Sequence, residues 1–117
     1  VRRPDVLVAL AEPALRFTGQ LAEDALILAD ETLRPSLSDV GARKMILPLF
    51  KTAERAVGSV RLANMVALGA LMASTGLVST SSMEKAISES VGERFVEADL
   101  RAFRAGLGLL RDVGESA

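Results

Sequence analysis

NMVALGALMASTG, Asn64 to Gly76, is the stretch on which the reading of this chain turns. Wound as a helix it has no polar side: Met65, Val66, Leu68, Leu71 and Met72 alternate with Ala63, Ala67, Gly69, Ala70 and Ala73. A helix apolar all round is buried all round. The stretch therefore predicts a helix over 62–75, stopped by Gly76 in the left-handed conformation that closes many helices. Its small residues let a neighbouring backbone come close. A domain of 117 residues has little material to cover such a helix by itself. The cover is expected from chain preceding Val1 or from another subunit. Val1 is not an initiator Met and a strand follows almost at once, so the sequence reads as a fragment of a longer chain.

Towards the N-terminus the period changes from helical to extended. Asp5–Leu10, DVLVAL, and Ala25–Asp30, ALILAD, are short apolar runs of the kind buried on both faces of a sheet. Arg43–Leu49, RKMILPL, reads as a third strand with Pro48 at its end. A short helix, PALRFTGQL, starts at Pro13, and a loop, ETLRPSLSDVG, separates the second and third runs. Strands spaced this way pair in parallel through right-handed crossovers. Lys51–Val57 forms two helical turns closed by Gly58.

Beyond Gly76, Ser81 and Glu84 have the spacing of a capping box. The helix they open runs to Val91, with Met83, Ile87 and Val91 as its inner stripe and Gly92 as its stop. A last helix begins near Glu97–Asp99 and turns Leu100, Phe103, Leu107 and Leu110 inward. Gly106 and Gly108 mark either a close contact or a frayed segment. The tail 114–117, GESA, is expected to be disordered. The fold class predicted is α/β: a partial Rossmann-like three-layer domain, mostly parallel sheet, followed by a C-terminal helical segment.

Composition narrows the chemistry. Half the residues are apolar and only four are aromatic, all Phe, so the core is aliphatic. With net charge −1 and eleven Arg scattered among acids, there is no nucleic-acid footprint. There is no Cys, hence no disulfide, no thiol nucleophile and no thiolate to hold an iron–sulfur cluster. There is no His, the commonest general base and metal ligand. The longest apolar run, Met65–Ala73, falls far short of the ~20 residues that span a bilayer. A cytoplasmic protein with no membrane partner is the expectation.

Three groups of residues are site candidates. Glu12, Asp30 and Glu31 follow strand ends, the ligand side of an open α/β sheet. An acid at the place of Asp30 can hold a ribose, but only with a glycine-rich turn upstream, which would have to lie before Val1, so ordinary loop acids are favoured. Lys51, Arg55 and Arg61, with Thr52 and Ser59, are candidates for an anionic group such as a phosphate of coenzyme A, against the plainer reading of a solvated helix face. Asn64, polar at the head of an apolar helix, either meets a partner or ligand or, the favoured reading, hydrogen-bonds as a buried amide to the backbone of the preceding loop. The methionines are filler of core or interface.

Taken in order, the segments resemble the gamma domain of the 2-oxoacid:ferredoxin oxidoreductases, the family acting on pyruvate, 2-oxoglutarate (ketoglutarate) and ketoisovalerate. The resemblance rests on Pro4–Leu10, Ala25–Asp30, Met45–Pro48, Asn64–Ser79 and Asp99–Gly106. It covers residues 1–113, the C-terminal two thirds of the domain. The family's opening strand and GxGGQG-like turn are absent, about a third of the domain.

The resemblance implies a subunit without catalytic residues of its own, in a complex that converts a 2-oxoacid to an acyl-CoA and reduces ferredoxin. It implies partner alpha and beta subunits and a ferredoxin-like delta subunit. Thiamine diphosphate, Mg and iron–sulfur clusters would be carried by the complex, and coenzyme A would pass nearby. A homodimer through helix 62–75 is a further expectation. The rival readings are a stand-alone Rossmann-like module for a nucleotide or coenzyme A, and a subunit of an indolepyruvate oxidoreductase.

Overall fold

The computed structural model describes residues 6–20, 25–75, 79–90 and 92–116, with side chains described except at 17–20, 75, 90, 93, 94 and 110–116. The chain divides into two units, Val1–Pro48 and Leu49–Ala117.

The first unit is a three-stranded parallel sheet in the order β1 (Val6–Ala9), β2 (Leu26–Asp30), β3 (Arg43–Leu47). Val6 stands opposite Leu26, and Leu26 opposite Arg43, so both crossovers step the chain in one direction. The run ALILAD becomes the central strand because it is apolar up to its last residue, Asp30, and residues 27–30 of it are buried. In this register Leu7, Ala9, Ile27, Ala29 and Ile46 share one face of the pleat. They pack with Leu33, Leu37, Ala14 and Leu15 from the two connections. That cluster is the unit's core, aliphatic as the composition requires.

Both connections differ from expectation. The segment from Pro13 is not an α-helix but a 3-10 helix, η1 (Glu12–Gln20). The loop after Asp30 holds a second one, η2 (Glu31–Leu37). A short crossover must travel back along a strand of some 13–17 Å. Nine residues span about 18 Å as a 3-10 helix and about 13.5 Å as an α-helix, so either form makes the return. Pro35 is tolerated because η2 is short. Lys44 on β3 closes it, its Nζ donating to the carbonyls of Leu37 (3.0 Å) and Val40 (2.6 Å).

The second unit is helical: α1 (Leu49–Val57), a turn of 3-10 helix η3 (Val60–Leu62), α2 (Ala63–Thr75), α3 (Thr80–Ser90) and α4 (Glu93–Ser116). Gly58 ends α1 as expected, at φ 74° with its N–H on the Glu54 carbonyl at 2.8 Å. The cap of α3 is shifted by two residues from the sequence reading. Ser79, not Ser81, accepts the Ser82 N–H on its hydroxyl at 3.1 Å, and Glu84 reaches α4 instead of the helix start. Helix α4 begins at Glu93, earlier than the acids that suggested its start, and passes through Gly106 and Gly108. The expected closing Gly76 and the inner residue Val91 lie outside the described residues, and the side chain of Leu110 is among those not described.

The contact between α2 and α4 is the tightest feature of this unit. A Cβ placed on Gly69 would lie 2.0 Å from the Phe103 carbonyl oxygen, and one on Gly106 would lie 1.9 Å from that of Val66. Backbone meets backbone there, and only hydrogen at those two positions allows it. Phe103 is fully buried, as are Ala102 on α4 and Val66 and Ala70 on α2, with Ala63 and Ala67 nearly so. Gly106 thus answers the choice left by sequence as a close contact, whereas a Cβ on Gly108 would meet nothing within 4 Å.

Candidate functional site

The three strand-end carboxylates are in different situations. Asp30 is 1% exposed and caps η2: its Oδ2 accepts the Thr32 N–H at 3.0 Å and the Thr32 hydroxyl at 2.6 Å. A carboxylate so engaged is holding a turn, which meets the need of a buried acid for donors. Glu12, exposed on η1, accepts the Ser36 hydroxyl from η2 and so ties the two connections together. Glu31 is half-buried at the start of η2.

The basic candidates lie in the second unit. Lys51 and Arg55 are exposed and four residues apart on α1, so they share a face of that helix. Arg61 is exposed on η3, which packs against α1. Of the two hydroxyls grouped with them, neither is disposed to bind an anion. Thr52 is 7% exposed and its Oγ1 is buried with no hydrogen-bond partner. Ser59 caps η3 by accepting the Arg61 N–H at 3.2 Å. What α1 offers is positive charge without hydroxyl donors. Asn64 is exposed and its Oδ1 accepts the Met65 N–H at 2.9 Å, a bond to the residue that follows it and not to the preceding loop.

Helix α2 corrects the sequence reading in a way that bears on function. It is apolar all round but not buried all round. Its small residues, Ala63, Ala67, Gly69 and Ala70 with Val66, take the buried side. Its large ones, Met65, Leu68, Leu71 and Met72, are only half-buried. The reason is the close approach to α4, which admits nothing larger along the crossing. The sequence shows that small and large residues alternate, but not which set faces inward.

Sequence reasoning missed the link between α3 and α4. Arg104 Nε donates to Glu84 Oε1 at 2.5 Å; the capping-box spacing of Glu84 masks this partner. It also missed Asp99, assigned to a helix start but buried in the second turn of α4, 9% exposed. Among the described residues, no three His, Cys, Asp or Glu side chains are grouped to hold a metal ion.

Three parallel strands followed by helices define an α/β domain, and solved structures share it. The keto/oxoacid ferredoxin oxidoreductase gamma subunit of Geobacter sulfurreducens matches with a TM-score of 0.81 and 35% identity, over 92% of this chain and 62% of that one. Pyruvate oxidoreductase subunit PORC of Thermotoga maritima matches with a TM-score of 0.72 and 26% identity, over 91% and 63% of the two chains. Residues 1–109 match the family model described as pyruvate ferredoxin/flavodoxin oxidoreductase, and the chain belongs to that family. Among curated relatives, the 2-oxoglutarate synthase subunit KorC of Methanothermobacter thermautotrophicus is 34% identical over 119 residues, 96% of this chain and 63% of the relative. The ketoisovalerate oxidoreductase subunit VorA of the same organism is 38% identical over 116 residues, 96% of this chain and 24% of the relative. The chain therefore spans just under two thirds of the length of the KorC relative.

Proposed function

We propose that this chain is the gamma component of a 2-oxoacid:ferredoxin oxidoreductase, which oxidatively decarboxylates a 2-oxoacid to an acyl-coenzyme A and passes the electrons to ferredoxin. The observation that carries the reading is the structural match to an oxoacid oxidoreductase gamma subunit along 92% of the chain. The half-exposed Met65, Leu68, Leu71 and Met72 support it, because a row of large apolar side chains on one helix suits burial by a partner. On this reading the partners are the alpha, beta and ferredoxin-like delta subunits, and pairing of two copies through helix 62–75 is the lesser arrangement. On this reading the assembly works in the cytoplasm, as its expected soluble partners do. No described helix is long and apolar enough to cross a membrane.

The division of labour follows from the donor set. Iron–sulfur clusters need thiolates, and this chain has no Cys. Thiamine diphosphate with its Mg would lie on the partners, which supply the chemistry at the 2-oxoacid carbonyl. The part assigned to this chain is packing, together with positive charge for a phosphate of coenzyme A from Lys51, Arg55 and Arg61. Guanidinium forks and an ammonium on exposed helix positions suit that group, and Thr52 is left out because its hydroxyl is buried.

Affinity capture of the chain from its source cytoplasm tests the assignment, with the co-purifying proteins identified by mass spectrometry. Recovery of thiamine-diphosphate-dependent alpha and beta subunits is expected. A chain that elutes alone, monomeric and holding a nucleotide would replace this reading with that of a stand-alone binding module.

A further inference from the structure

No further inference is drawn: the strongest candidate, the open depression on α4 lined by Val96, Glu97, Leu100 and Arg104 beside the exposed Phe95, presents an apolar surface with nothing in the structure to show what covers it.

Discussion

Replacing Gly106 by Ala adds a single methyl group at the tightest point of the α2–α4 contact. Its Cβ would lie 1.9 Å from the Val66 carbonyl oxygen, 2.8 Å from the Val66 carbonyl carbon and 3.0 Å from the Ala70 nitrogen. All three are backbone atoms, so no change of rotamer relieves the clash. A tolerable C···O contact is about 3.3 Å or more, so α4 must retreat from α2 by roughly 1.4 Å at the crossing. Opening a packed surface by even about 0.5–1 Å forfeits a quarter to a half of each dispersion contact. Overpacking costs about 1–3 kcal/mol, while the better helix propensity of Ala returns up to about 1 kcal/mol. The required displacement places this case at the high end, for a net loss of about 2 kcal/mol. Urea unfolding followed by far-UV circular dichroism should show the midpoint fall by about 1 M, taking a slope of about 2 kcal/mol/M. Gly108→Ala is the control. It is on the same helix with open space at its Cβ, and should raise stability by about 0.5–1 kcal/mol. If both variants raise the midpoint equally, the account of the helix contact is wrong.

Further outcomes follow from other positions. Thr52→Val should stabilise the protein by about 1 kcal/mol, because the hydroxyl it removes is buried without a partner; a lower urea midpoint would mean that the hydroxyl is satisfied after all. Asp30→Ala should cost about 1–2 kcal/mol through loss of the η2 cap, visible as a lower melting temperature. Leu68→Glu with Met72→Glu should leave the circular dichroism of the chain unchanged while abolishing co-purification of partner subunits; a complex that still forms would remove α2 from the interface. Converting Lys51, Arg55 and Arg61 to Gln should raise the KM for coenzyme A of the assembled enzyme at least tenfold with little change in unfolding midpoint, and an unchanged KM would dismiss them as ligands.

The strands were legible because ALILAD and its neighbours are rich in β-branched or long aliphatic residues, but only β2 is buried on both faces: Val8 of β1 is exposed, as are Arg43 and Lys44 of β3. Gly58 was legible because it ends a short amphipathic run where a left-handed residue closes the helix. The 3-10 form of the two connections was not, because residue preference does not separate a short 3-10 helix from a short α-helix. Ser79 was overlooked since the run Ser79–Ser82 has a hydroxyl at every residue, and several of them could cap. The orientation of α2 was out of reach of periodicity: with no polar stripe, only the glycine-to-carbonyl approach to α4 decides which side turns in. The candidate site was the least legible part. Its charges lie on exposed helix positions, where sequence does not separate a ligand contact from a solvated face.

The central claim is that this chain completes a 2-oxoacid:ferredoxin oxidoreductase. The most direct measurement is ferredoxin reduction by the alpha, beta and delta subunits, with 2-oxoacid and coenzyme A present, assayed with and without this chain. The account predicts no turnover by the chain alone, little by the others without it, and full activity when it is restored. Undiminished activity in its absence, with the complex otherwise intact, would contradict the claim.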